Sequence, residues 1–113
     1  MVPGDTQDDD VLTDLDAREA AAQRDRDEAA NQEKVLIDDL RWLMRHKQGR
    51  RIMRRLLGDC GIFSSSFSPD VAVMAFHEGK RSIGLPLIEN LMRHIQQDYS
   101  TMIEEHRRDG GQR

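Results

Sequence analysis

The sequence predicts an all-α protein, a small helical bundle of three to four helices with a long charged N-terminal helix or disordered arm. Its 113 residues suffice for one domain with appendages. Charged residues make up 34% of the chain and hydrophobic residues 37%, which leaves material for only a small core. Apolar residues recur at helical spacing, and no segment shows the alternation typical of a strand.

Charge and composition divide the chain into segments. We predict an acidic, alanine-rich arm at residues 1–32, a helical domain at residues 33–108 and a frayed tail at residues 109–113. Residues 1–28 carry ten acids and three arginines, a net charge of −7, whereas residues 29–113 carry a net charge of +3. Because the two parts have opposite signs, they can dock on each other, within one molecule or between copies.

The arm favours helix but has little to bury. Pro3, Gly4 and three consecutive aspartates predict that residues 1–10 are disordered. Beyond them, alanine, glutamate, arginine and glutamine dominate, and all four favour helix. No apolar residue larger than alanine occurs from Asp16 to Lys34. The arm is therefore a solvated helix, a charged linker or a helix that folds on a partner.

Packing residues begin at Val35. Leu36, Leu40 and Leu43 follow helical spacing and predict a first core helix over about residues 33–45. This helix is either separate from the arm or continuous with it. A turn at residues 46–49 then ends it.

The second predicted helix covers about residues 49–57 and ends at Gly58, since glycine is a favourable C-cap. One of its faces is basic and the other is apolar. The apolar face consists of Ile52, Met53, Leu56 and Leu57. A loop over residues 59–68 follows.

The third helix is predicted from Pro69 to Gln96, with Ser68 as its N-cap. Pro86 lies inside it, and proline both removes a backbone hydrogen bond and clashes with the preceding turn. We therefore expect a kink near residues 83–85, or two helices in sequence. A last helix covers about residues 98–108.

The apolar pattern also predicts which side chains meet in the core. The largest residues on the helical stripes are expected to be buried in mutual contact. These residues are Trp42, Leu43, Leu56, Phe76, Ile83 and Leu87.

The basic segment from Arg41 to Arg55 is the main functional candidate, because it holds seven bases in fifteen residues and no acid. Such a face suits an acidic protein partner, or it neutralises nucleic-acid phosphates without reading sequence. It can also be a solvated arginine face. The candidate interaction or polyanion-binding residues are Arg45, Lys47, Arg50, Arg51, Arg54 and Arg55.

A second charged group follows at Glu78, Lys80 and Arg81. These residues are placed to form a charge network with Arg50 or Arg51 across two packed helices. The network is either an internal clamp or part of an external binding surface.

Catalysis and metal binding find no support in the sequence. Cys60 is the only cysteine, and no histidine at motif spacing activates it. The four histidines are far apart, and no ligand spacing of a metal site appears. We predict no enzyme activity, no cofactor and no metal. The N-terminus lacks the regions of a signal peptide, and no apolar run is long enough to span a membrane, so we expect synthesis in the cytoplasm.

Several short motifs occur in order over residues 38–106, about two thirds of the chain. They are Trp42-Leu43, Gly49-Arg50-Arg51, Leu56-Leu57, Cys60-Gly61, Phe63, Ser66-Phe67, Glu78-Gly79, Arg81 and Gly84. This string resembles the Bbp-like phage domain, a family of tailed bacteriophages and prophages named after a protein of a Bordetella podophage.

The resemblance implies a helical phage protein, encoded in the structural or packaging gene region and found in the host cytoplasm or in the virion. It implies no known catalysis. We expect a non-enzymatic structural or accessory protein that contacts another phage structural protein or itself. The alternative is a nucleic-acid-binding accessory protein that uses the basic helix.

Overall fold

The computed structural model describes residues 3–110 of the chain, and side chains from residue 11 onward. This part of the chain is all-α, which confirms the predicted fold class. Four helices follow one another, and the described residues form no strand. They are α1 (Pro3–Met44), α2 (Lys47–Asp59), α3 (Val71–His94) and α4 (Gln96–Asp109).

The chain divides into two compact units, Met1–Leu36 and Ile37–Arg113. In the first unit, α1 carries the acidic arm. From residue 11 to residue 36 every side chain is exposed except that of Ala21, which is partly exposed. The prediction that the arm buries almost nothing is thus confirmed for its described side chains.

Helix α1 begins at Pro3, so the predicted disorder was wrong for residues 3–10. Proline suits the first helical position, and the acids that follow it are favourable near a helix N-terminus. Met1 and Val2 lie outside the described residues. At the other end of the chain, α4 includes Asp109, the first residue of the predicted frayed tail, and residues 111–113 of that tail lie outside the described residues.

The second unit is built around a small core in which every helix takes part. α1 contributes Leu40, one of the predicted packing residues, and Met44. Half-buried side chains, among them Leu43 and Leu87, surround this core. Its buried members are Leu40, Met44, Met53, Leu57, Leu91, Ile95 and Met102.

Four of the six predicted core residues lie at the surface. Trp42, Leu56, Phe76 and Ile83 are between 42% and 66% exposed. On α2, Leu56 is exposed because the buried face of the helix is rotated relative to the predicted one. The stripe Gly49, Met53 and Leu57 is buried, so the adjacent stripe that carries Leu56 is turned toward water.

Gly49 permits this orientation of α2. A Cβ atom at this position would lie 2.0 Å from the carbonyl oxygen of Leu43, far inside van der Waals contact. The backbone of α2 therefore packs directly on the end of α1. Helix α2 continues past Gly58 to Asp59, and the turn to left-handed backbone occurs at Gly61, with φ of 77°.

Helix α3 begins at Val71 rather than at Pro69. The Asp70 side chain accepts hydrogen bonds from the backbone N–H groups of Ala72 and Val73, so Asp70 and not Ser68 is the N-cap. The helix continues through Pro86 to His94, and the predicted division into two helices does not occur there. The break comes at Ile95, whose φ of −135° and ψ of 43° separate α3 from α4.

No helix in the described part of the chain combines the length and the apolar character that crossing a membrane requires.

Candidate functional site

The basic residues of α2 line an open groove between α2 and α4, with a volume of about 500 Å³. We call it the α2–α4 groove. Met102 and Gly58 contribute apolar lining, and His106 adds an imidazole. The charged residues of its wall are Lys47, Arg50, Arg51, Arg54, Arg55, Asp59, Glu105 and Asp109. Five of the six basic residues predicted from the sequence are thus together, whereas Arg45 does not line the groove.

Arg50 links three helices of the second unit. Its Nε and Nη2 donate hydrogen bonds of 2.9 and 2.7 Å to Oε1 of Glu105 on α4. Its Nη1 donates a 2.9 Å bond to the carbonyl oxygen of Met44, at the end of α1. The side chains of Arg50 and Glu105 are only 13% and 19% exposed. Because charge-assisted bonds are strong when water is excluded, Arg50 is a structural clamp.

Two further basic residues of the groove form ion pairs that are exposed to solvent. Lys47 lies 3.4 Å from a carboxylate oxygen of Asp109, and Arg55 lies 3.3 Å from Asp59 one turn later on the same helix. All four side chains are more than half exposed. Pairs of this kind contribute little stability, but they partly neutralise the surface that a polyanion would meet.

Arg54 is held by an aromatic ring rather than by an acid. Its guanidinium carbon lies 3.9 Å from the ring centroid of Phe63, a cation–π contact. Its Nε is buried and makes no hydrogen bond with any described residue. Arg54 therefore brings a positive charge to the groove without a carboxylate to balance it.

Arg45 and Arg51 are exposed, and their side chains form no hydrogen bond or ion pair within the described residues. Of these two, Arg51 lines the groove. The three acids of the groove wall are each paired with a base, so Arg51 and Arg54 give the groove an excess of positive charge.

The outer side of α4 carries its own charge cluster. Arg107 donates hydrogen bonds to both carboxylate oxygens of Glu104, at 3.2 and 2.7 Å. These bonds, together with the charge of the guanidinium, lower the pKa of Glu104 below its ordinary value. Glu104 therefore stays ionised near neutral pH, and its carboxylate is already paired with Arg107.

The predicted charge network of Glu78, Lys80 and Arg81 with Arg50 or Arg51 does not form among the described residues. Glu78 instead accepts a hydrogen bond from the Ser66 hydroxyl. Arg81 donates to the Ser64 carbonyl oxygen, and Lys80 lies 5.1 Å from the centroid of Phe76. Arg81 and Glu78 thus tie the loop before α3 to α3 itself, while Arg50 finds its acid on α4.

Metal ligands are not assembled in the described part of the chain. No three side chains of histidine, cysteine, aspartate or glutamate lie close enough there to hold a metal ion. Cys60 is a buried free thiol beside the core.

Several large apolar side chains of the second unit are exposed, which the sequence interpretation missed. Phe76 and Ile83 on α3 are 64% and 66% exposed, and Phe67 in the preceding loop is 79% exposed. Ile52 on α2 is 63% exposed. These residues stand out in the sequence by their size and spacing, but both features indicated core rather than surface.

Comparison with known families assigns the second unit. The family model of the Bbp19-like phage proteins matches residues 40–104, more than half of the chain. The chain belongs to the Bbp19-like phage proteins. The match extends from the end of α1 into α4, and it confirms the resemblance inferred from the sequence motifs. Comparisons with curated proteins and with solved structures gave no match.

Several motif residues of this Bbp19-like protein have structural roles. Gly49 allows α2 to pack on α1, and Gly61 forms the turn after α2. A Cβ atom at Gly84 would lie within 3 Å of side-chain atoms of Ile62 and Cys60, so the loop after α2 packs against α3 at that point. These roles explain part of the motif string without a ligand.

Proposed function

We propose that this Bbp19-like protein is a non-enzymatic structural or accessory protein of the phage, from the virion or the packaging apparatus, that acts through protein–protein contacts. The observation that carries the proposal is the exposure of large apolar side chains in the second unit. Phe67, Phe76 and Ile83 are each at least 64% exposed. Exposed apolar surface that collects on one helix marks interaction sites more often than exposed single residues do.

The best-defined surface is one face of α3, which we call the α3 face. Phe76 and Ile83 lie about two helical turns apart, so they project in nearly the same direction. Gly79 lies between them, and a Cβ atom there would meet no other atom within 4 Å. Two large apolar side chains on either side of a glycine offer a partner both apolar area and close approach to the helix backbone. Aromatic residues of this kind are enriched at protein interfaces.

The ion pairs of the basic residues favour protein–protein contacts over nucleic-acid binding. Arg50 and Lys47 are paired with acids on α4, and Arg55 is paired with an acid on α2. A nucleic-acid phosphate has to compete with those carboxylates. Only Arg45 and Arg51 among the six predicted residues are exposed without a partner in the described chain.

The experiment compares incorporation of three forms of the protein during phage growth. Phages that encode the wild type, Phe76→Ser with Ile83→Ser, or Met92→Ser are grown. The chain is then counted by mass spectrometry in purified particles and assembly intermediates. Met92 is the matched control, because it is 51% exposed on the same helix but nine residues after Ile83, on the opposite face.

We expect a fixed copy number for the wild type and for Met92→Ser, and loss of the chain with the double variant. Circular dichroism of the purified double variant confirms that it folds. Absence of the wild-type chain from both particles and intermediates would contradict the proposed function. Full incorporation of a folded double variant would contradict the role of the α3 face.

A further inference from the structure

We infer that the α2–α4 groove binds the acidic arm of a second copy of this chain, through the segment from Leu12 to Glu19. The inference rests on the proposed function, since the partner is a protein. It concerns a different surface from the α3 face, however, and it names the partner.

The groove carries positive charge that its own residues do not balance. Its three acids are engaged with Arg50, Lys47 and Arg55. Arg51 and Arg54 remain, three residues apart on α2 and hence about one helical turn from each other. An acidic partner with two carboxylates at the same spacing could form an ion pair with each of these two arginines.

Arg54 is prepared for such a partner. Its stacking on Phe63 at 3.9 Å restricts the side chain, so less conformational entropy is lost when an anion binds. Its Nε has neither water contact nor a hydrogen bond in the described chain. An arginine whose charge is partly dehydrated gains more from a carboxylate than one in open water.

The arm carries the complementary pattern. Leu12, Leu15, Asp16 and Glu19 follow spacings of three, four and seven, so they share one face of α1. Leu12 is 59% and Leu15 is 46% exposed. Asp16 and Glu19 form no ion pair within the described residues, whereas neighbouring Asp14 is bound to Arg18.

The two patterns agree in spacing and in chemistry. Asp16 and Glu19 are separated by the same one turn as Arg51 and Arg54, so two helices side by side can form both pairs. The two leucines then lie against the groove lining near Gly58, since the Met102 side chain behind it is only 1% exposed. Residues 1–28 carry a net charge of −7 against +3 for the rest of the chain, which also steers the encounter of two copies.

The occupant is a second copy because the face of the arm that carries Leu12, Leu15, Asp16 and Glu19 is exposed, and every copy brings one arm for one groove. Reciprocal exchange of arms gives a closed, symmetric dimer in which each groove is filled. The association is expected to weaken with salt, since the pairs lie at an open groove.

The test is sedimentation equilibrium of the full chain at low and high salt, with charge reversals on either side. One variant is Arg51→Glu with Arg54→Glu, and the other is Asp16→Arg with Glu19→Arg. Each alone places like charges in contact, so we expect each to weaken self-association by tenfold or more, on the order of other interfacial charge reversals. When the two are mixed, an acidic groove meets a basic arm and a basic groove meets an acidic arm, so association is expected to return.

The matched control reverses two arginines outside the groove, Arg45→Glu with Arg93→Glu, and is expected to retain association. If the first variant loses helix by circular dichroism, Arg51→Glu alone replaces it, since that exposed side chain forms no hydrogen bond or ion pair with a described residue. A monomer at all concentrations would overturn the inference, as would self-association that ignores the reversals. Docking of the arm within one copy would give no recovery in the mixture and would overturn it as well. None of these results affects particle incorporation, which tests the proposed function separately.

Discussion

Arg50 on α2 donates two hydrogen bonds to a single carboxylate oxygen of Glu105 on α4, 55 residues later in the chain. The same guanidinium also binds the Met44 carbonyl at the end of α1. One arginine thus satisfies a helix terminus and joins the first and last helices of the second unit. Its position in the basic segment suggested a binding residue, whereas its contacts make it a structural one.

The clamp predicts a large cost for removing Arg50. We expect Arg50→Ala to lower the free energy of unfolding by about 2–4 kcal/mol, because a half-buried carboxylate and a helix carbonyl lose their partner. Urea unfolding measures this, with Arg55→Ala as the control, since its pair with Asp59 is exposed and is worth less than about 1 kcal/mol. Equal effects of the two substitutions would show that Arg50 is not a clamp.

The buried stripe of α2 predicts opposite outcomes for two adjacent leucines. Leu57 is completely buried, so we expect Leu57→Ala to destabilise by about 2–5 kcal/mol. Leu56 is 42% exposed, and Leu56→Ala is expected to cost less than about 1 kcal/mol. Thermal or urea unfolding of both variants decides the orientation of α2. A larger loss at Leu56 would contradict the buried stripe.

The sequence alone is compatible with two orientations of α2. Ile52 and Leu56 form one stripe of α2, and Met53 and Leu57 form another, rotated by one residue. Both have helical spacing and similar hydrophobicity, so periodicity alone cannot choose between them. The choice comes from tertiary packing at Gly49, where only a glycine fits against Leu43. Helix number and type, by contrast, followed from local spacing and were predicted correctly.

Gly49 and Gly79 predict opposite signs for the same substitution. A Cβ atom at Gly49 would meet backbone, which cannot move as a side chain can, so we expect Gly49→Ala to destabilise by more than about 3 kcal/mol. Gly79 lies in open space within α3, and Gly79→Ala is expected to stabilise by about 0.5–1 kcal/mol. Differential scanning calorimetry of the pair tests this. A mild effect at Gly49 would contradict the close approach of α2 to α1.

The candidate site shows the same limit of sequence reasoning. The four arginines and one lysine of the groove were found by their density along the chain. The partners of Lys47 and Arg50 were not found, because Asp109 and Glu105 are far away in sequence and no local spacing connects them to α2. The charges of Glu78 and the arginines of α2 are complementary, which suggested a network between them. The Glu78 carboxylate instead accepts a hydrogen bond from the Ser66 hydroxyl on the preceding loop.

Nucleic-acid binding by the basic segment is expected to be weak. Arg45, Arg51 and Arg54 are the predicted contacts without an acidic partner in the described chain, so the slope of log K against log salt for duplex DNA should not exceed about 3, at about 0.9 per phosphate. Fluorescence anisotropy over a salt series measures it, with Arg45→Ala, Arg51→Ala and Arg54→Ala together as the variant that removes binding. A slope near 5 would mean that the paired arginines also contact phosphates, in favour of a genome-binding function.

Photocrosslinking from the α3 face is the most direct measurement of whether this phage protein acts through protein contacts. A photoreactive amino acid replaces Phe76 in one variant and Met92 in another, and both are irradiated during phage growth. We expect position 76 to give a covalent adduct with one defined phage-encoded protein, and position 92 on the opposite face to give none. Absence of any protein adduct at position 76, in a variant that folds, would contradict the proposed function through protein–protein contacts.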